Sequence, residues 1–262
     1  MKPVLFEIGS LSVNSYGFLI MLGAFAGIAF VYFQTRKKYG VTIDTANELL
    51  ISLLLAAIVG GKLFFYFEKP SYFIENPDKL FENFGNGFVF YGSFLFAVPT
   101  MIIFFRKKKL PLMPMLDIMA LTTCIVHVFG RMGCFLAGCC YGKPTNGIIG
   151  VTFTEEASKA EPLHTALHPT QLYSATMIII IFIILWRVYK YKTFHGQIIL
   201  LYTMLYAIGR SIIEIFRGDI ARGFIIEDII SHSQFIAMLV FLVSLLLYLR
   251  LRKNPKLRVN AS

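Results

Sequence analysis

Charge is what this chain has least of. Only 15% of its 262 residues are Asp, Glu, Lys or Arg and 56% are hydrophobic, whereas soluble domains run nearer about 25% charged. With a mean hydropathy of +0.67, a water-soluble domain would have too little polar surface to cover its core. Carboxylates are scarcer still, 15 against 25 Lys and Arg, which leaves a net charge of +10. In a soluble protein that excess suggests nucleic acid. Here the basic residues fall in short clusters between apolar runs, the pattern of loops that flank membrane spans, so no nucleic-acid partner is expected. Four cysteines are too few for a disulfide framework. There is no internal repeat and no low-complexity tract. Residues Met1 to Leu11 hold no apolar stretch followed by small residues, so no cleavable leader is expected and the first span is expected to act as the insertion signal.

What the chain does have is long apolar runs. A span needs about 20 mostly apolar residues, and seven stretches qualify: Tyr16 to Gln34, Asn47 to Phe67, Gly87 to Phe105, Pro111 to Phe129, Pro169 to Trp186, Gly196 to Ile213 and Ser233 to Tyr248. The fold class is therefore all-α, a polytopic membrane protein of about seven transmembrane helices with a small extracytoplasmic cap. Pro99 and Pro114 predict kinks. Clusters at Arg36 to Lys38, Arg106 to Lys109, Arg187 to Lys192 and Arg250 to Arg258 fall in alternate loops and hold 15 of the 25 basic residues. The positive-inside rule then puts the amino terminus outside and the carboxyl terminus in the cytoplasm. Residues 1–262 read as one transmembrane domain, with residues 130–168 the cap within it. Such long loops, like the shorter Glu68 to Asn86, are usually functional. Trp186, Tyr189, Tyr191 and Tyr248 are expected to anchor at the interface.

Charges near or within spans are expensive, so each is a functional candidate: Lys62, Asp117, Arg131, Arg210 and Glu214. Helical spacing puts Tyr206, Arg210, Glu214 and Arg217 on one face of the sixth span. Arg210 and Glu214 together make a structural tie as readily as a site, but the second arginine leaves one guanidinium for an anion. Gly130-Arg131-Met132-Gly133-Cys134-Phe135-Leu136-Ala137-Gly138-Cys139-Cys140-Tyr141-Gly142 follows the fourth span, and its four glycines predict tight turns lining a polar cavity. Arg131 there, with Arg210 on a neighbouring helix, would suit a phospholipid phosphate, which guanidinium binds bidentately. His168, at the mouth of the fifth span, is either a general base or a polar helix-end residue. Cys134, Cys139 and Cys140 admit a disulfide, a zinc site with His127, or a role as small buried fillers. The filler reading is preferred, because the spacing matches no zinc pattern. No cofactor and no metal are expected.

These residues resemble the prolipoprotein diacylglyceryl transferase family. Its signature G-R-x-G-N-F-x-N-x-E-x-x-G matches Gly130, Arg131, Gly133, Phe135 and Gly142. The likeness extends to Ser15-Tyr16-Gly17, Gly60-Gly61-Lys62, Phe90-Tyr91-Gly92, His168 to Tyr173, and Gly209-Arg210 through Glu214 to Arg217. It implies a bacterial inner-membrane enzyme that moves diacylglyceryl from phosphatidylglycerol to the lipobox cysteine thiol of a prolipoprotein signal peptide. It further implies substrate binding by Arg131, Arg210, Tyr16 and Gly142. The catalytic candidates are His168, Glu214, Tyr206 and Tyr91, with His168 the first choice of base and Glu214 the second. Two signature asparagines are here Cys134 and Ala137, its glutamate is Cys139, and Tyr91 stands where typical members carry histidine. These departures leave a rival reading, a lipid-binding relative that is inactive or uses another acceptor.

Overall fold

The computed structural model describes residues 2–8, 11–68, 70–76, 87–218, 224–226 and 230–259. A short hairpin, β1 (Val4–Ile8) and β2 (Leu11–Asn14), leads into helix α1 (Ser15–Tyr39). Then follow α2 (Ile43–Glu68), the short α3 (Pro70–Glu75), α4 (Phe90–Lys107) and α5 (Leu112–Ala137). After a two-strand pair, β3 (Val151–Thr152) with β4 (Ala166–Leu167), come α6 (Thr170–Lys190) and α7 (Gln197–Phe216). The strands β5 (Phe224–Ile226) and β6 (Ile230–Ser231) precede α8 (His232–Arg252).

Six of these helices, α1, α2, α5, α6, α7 and α8, are long and apolar enough to cross a membrane. The remaining expected span is α4. It is helical, but its 18 residues include Pro99 and end on Arg106 and Lys107, so its apolar stretch is shorter. The chain is thus an all-α polytopic membrane protein. Side chains such as Phe33, Leu55, Ile183 and Leu246 project from these helices half-exposed or more, as lipid-facing residues do when no other helix covers them.

Two compact units divide the chain. The first comprises residues 1–30 and 116–262. Its core is Ala120, Leu121, Cys124, Ile178, Ile181, Leu185 and Ile198, wrapped by Phe30, Phe182, Trp186, Tyr202 and Tyr206. Trp186 stacks on Phe182 and Tyr189, so it is packed at the helix end where an interface anchor was expected. Asp117 belongs to this core. It is fully buried and accepts hydrogen bonds from the backbone N–H of Gly196 (3.0 Å), Ile198 (2.9 Å) and Ile199 (3.2 Å) and from Lys192 Nζ (2.8 Å). The carboxylate therefore caps the amino end of α7, where unpaired N–H groups and the helix dipole favour a negative charge. These contacts give the charge within the span a structural role. The start of α8 is closed by a capping box between Ser231 and Gln234.

The second unit comprises residues 31–115 and rests on the pair α2 and α4. A Cβ on Gly60 would lie 2.3 Å from the Gly92 carbonyl oxygen, and one on Gly92 equally close to that of Gly60. Only a pair without side chains lets the two backbones meet, the way small residues bring helices together in lipid. Ser93 Oγ donates to the Ala57 carbonyl (2.8 Å) across the same seam. Lys62 is buried among the rings of Phe65, Tyr66 and Phe88, its Nζ 4.7 Å from the last. That is a cation–π arrangement in which the aromatic faces replace lost water.

Candidate functional site

The candidate residues of the first unit gather where α5 and α7 end and α6 begins. Helix α5 does not stop at Phe129, as the apolar run suggested, but continues to Ala137. Gly130, Arg131, Gly133 and Cys134 are thus helical, because a helix keeps every backbone group paired at a depth where loops would not. The first turn conformation comes at Gly138, at φ +74°. Residues 138–168 then fold around a small core of their own, Phe153, Ala160 and Leu167. Of the other expected outer segment, residues 77–86 lie outside the described residues.

Arg131 Nε donates to His127 Nε2 at 3.2 Å, one turn back on α5. The His127 ring faces that of Tyr206 on α7 at 5.4 Å, and Tyr206 stacks on Tyr202. The same four-residue step separates Arg131 from His127 and Arg210 from Tyr206. The two arginines therefore each sit one turn beyond a contact that joins their helices. Arg210 is ion-paired with Glu214, and its Nη2 donates to Ser233 Oγ on α8 at 3.4 Å. Tyr16, at the start of α1, lies against the backbone of Gly133 and within electrostatic reach of Arg131 and of all three clustered cysteines. His127 was missed as a partner of Arg131, although its i, i+4 spacing was there to be read. It was considered only as a zinc ligand, and the group formed by the cysteines does not contain it.

Gly142 ends the signature. Its N–H donates to the His168 carbonyl (2.9 Å), His168 N–H to the Lys143 carbonyl (3.0 Å), and Lys143 N–H to the Phe216 carbonyl (2.8 Å). A Cβ at Gly142 would come within 2.5 Å of the Phe216 oxygen and 2.6 Å of His168 Cβ. The residue must be glycine for the signature segment, the mouth of α6 and the end of α7 to meet. His168 Nδ1 shares a 3.0 Å hydrogen bond with Tyr173 Oη, and its ring packs on Phe216. Tyr91 belongs to the second unit, exposed in the first turn of α4.

The cysteines are closer than fillers need to be. The Sγ atoms of Cys134, Cys139 and Cys140 all lie within 4.8 Å of one another. Cys140 is held at φ +62°, with its carbonyl accepting from Thr170 Oγ1 (2.6 Å), while the Cys139 carbonyl accepts from Gln171 Nε2 (2.7 Å). Hydrogen bonds from Cys134 and Cys139, helped by the Arg217 guanidinium, hold the Cys140 thiol far below its usual range. Cys139 is drawn down by its bond with Cys134 but pushed up by Cys140 and burial, ending at about 11.

The family model for prolipoprotein diacylglyceryl transferase matches residues 3–250. This chain belongs to that family. Among its relatives, the phosphatidylglycerol–prolipoprotein diacylglyceryl transferase of Clostridium tetani is 36% identical over 249 residues, covering 95% of this chain and 97% of that protein. A second enzyme of the same name from Clostridium perfringens is 32% identical, over 95% of this chain and 94% of its own length. A third, from Dehalococcoides mccartyi, is 29% identical over 97% and 95%. The family match runs through both units and through all the site residues named above.

Proposed function

We infer that this chain is a transferase that moves the diacylglyceryl group of phosphatidylglycerol onto the lipobox cysteine thiol of prolipoproteins, forming a thioether. The observation that carries the reading is family membership over nearly the whole chain together with Arg131 and Arg210, each one turn past the His127–Tyr206 contact. In this role the two guanidinium groups hold the lipid phosphate. They stabilise the charge that grows as glycerol phosphate leaves, in a site poor in water where such contacts are strong. Tyr16 and Tyr206 border that site, and Gly142 shapes its edge. His168 is the first candidate to take the proton of the attacking thiol, since a thiol of pKa about 8.5 is mostly protonated at neutral pH. Glu214 is the weaker candidate, because it is already paired with Arg210. Tyr91, in place of histidine, would have to act as a phenol. The replaced positions Cys134, Cys139 and Tyr91 favour one second reading, a family member with another acceptor. Expression in a bacterium depleted of its own prolipoprotein diacylglyceryl transferase separates the two: rescue of growth is expected, and none would accompany a different acceptor.

The working orientation has the amino terminus outside and the carboxyl terminus in the cytoplasm of a bacterial cell. Basic residues occupy the last turns of α1, α4, α6 and α8, and none the last turns of α2, α5 and α7, as the positive-inside rule requires of alternating spans. Reporter fusions after Lys38 and after Lys143 are expected to report opposite sides. The same side for both would overturn the orientation.

A further inference from the structure

The three clustered thiols are not explained by lipid binding, by the fold or by a filler role. Cys134 is buried near the end of α5, while Cys139 and Cys140 are partly buried in the turn that follows. Their carbonyls are tied to Thr170 and Gln171 at the mouth of α6, and Cys139 N–H donates to the Cys134 carbonyl at 3.1 Å. The loop is therefore fixed with its sulfurs converging. A disulfide uses two sulfurs and leaves the third unexplained. Three sulfurs at these separations are what a thiophilic cation needs: zinc–sulfur bonds of about 2.3 Å place tetrahedral ligands about 3.8 Å apart. That spacing falls within the 4.8 Å seen here. The charge balance also fits. Three thiolates around a divalent cation carry one net negative charge, and the Arg217 guanidinium reaches Cys140 while Lys159 acts on Cys139. Among the described residues no fourth ligand of the His, Cys, Asp or Glu type joins the group, and two of the three cysteines are only partly buried. Three protein ligands with a free fourth position is the pattern of a catalytic rather than a structural zinc site.

We propose that Cys134, Cys139 and Cys140 bind one thiophilic divalent cation, zinc or a close analogue, whose open position takes the acceptor thiol. The second half rests on the transferase reading given above. Tyr16, within electrostatic reach of both Arg131 and the cysteines, puts this cluster beside the residues assigned to the lipid phosphate. A thiol that coordinates such a cation loses its proton outright. That proton passes by way of His168, the base assigned above, to solvent, and a sulfur lone pair forms the C–S bond to the glyceryl carbon that bears the phosphate ester. The C–O bond breaks, its electron pair leaves with glycerol phosphate, and the neutral thioether, a poorer ligand than thiolate, is released. The cluster would thus supply thiol activation where Tyr91 and Cys139 replace the family's histidine and glutamate.

The test uses the full chain, purified in detergent with its thiols reduced and titrated with cadmium(II) chloride. An ultraviolet sulfur-to-cadmium band saturating at one equivalent per chain is expected. It should persist in Cys124→Ala, and in Cys139→Ser the affinity should fall by about 100-fold or more, beyond what loss of a group merely supporting a ligand brings. No saturable band in the unaltered protein, or an intramolecular disulfide in the protein as isolated, would overturn the site. In the cobalt(II)-loaded protein, a lipobox peptide should change the visible spectrum and its Cys-to-Ser counterpart should not. Transfer at an undiminished rate after chelation of all metal would sink the activating role and leave the transferase reading standing. A loaded protein that binds the peptide thiol yet transfers nothing would keep the metal site and remove that reading.

Discussion

Arg131→Ala is expected to lower diacylglyceryl transfer by about 10²–10³-fold, the usual effect of removing one preorganised donor from a developing anion, while the protein still inserts in the membrane. Arg131 is half-buried, and its guanidinium donates to His127 one turn back on its own helix. The loss should appear mainly in kcat, because the charge on the leaving phosphate is greatest in the transition state. Arg131→Lys keeps the charge but not the bidentate fork, and should recover only part of the rate. Arg210→Ala should be as damaging but less clean. It removes the Arg210 side of the ion pair with Glu214, which is itself only 8% exposed, and the hydrogen bond to Ser233 on α8. Full activity in Arg131→Ala, measured on protein of normal membrane abundance, would dismiss the phosphate clamp.

Asp117→Leu is expected to cost about 3–5 kcal/mol of stability, the range for breaking a buried pair from one side. The substitution strips the amino end of α7 of its three N–H acceptor contacts and leaves Lys192, 7% exposed, with its charge uncompensated. Thermal unfolding in detergent should shift well downward, and membrane abundance with it. Adding Lys192→Met to Asp117→Leu should return part of the loss, since the stranded cation is removed while the uncapped N–H groups remain. A single variant as stable as the parent would contradict the capping role.

These two residues mark what the sequence makes legible and what it does not. Both are charges in or beside apolar runs, and by that criterion alone they are equal candidates. Asp117 turns out to close a helix whose start, Gly196, lies far along the chain; no local pattern records that pairing. Spans were legible because hydrophobic length is a local property, and all seven expected runs fall on helices, with α4 the short one. The end of α5 was misplaced because glycine reads as a turn, yet Gly130 and Gly133 sit inside a helix. Arg131 and Arg210 could be nominated from charge and resemblance, but His127, the residue that links Arg131 to Tyr206, needed coordinates. The cysteines show the same limit: spacing along the chain argued against a shared ligand, and the turn at Gly138 and Cys140 brings the sulfurs together nonetheless.

Alkylation of a lipobox thiol with diacylglyceryl from phosphatidylglycerol can be followed directly on the acceptor. The measurement that tests it most directly incubates the purified, metal-replete protein with phosphatidylglycerol labelled in its acyl chains and a lipobox peptide, and follows the peptide by mass spectrometry. Expected are a peptide heavier by one diacylglyceryl group on its cysteine, equimolar release of glycerol phosphate, no product from the Cys-to-Ser peptide, and a product yield that collapses in Arg131→Ala. Release of glycerol phosphate without peptide modification, or an unmodified peptide and intact lipid in the presence of folded protein, would contradict it.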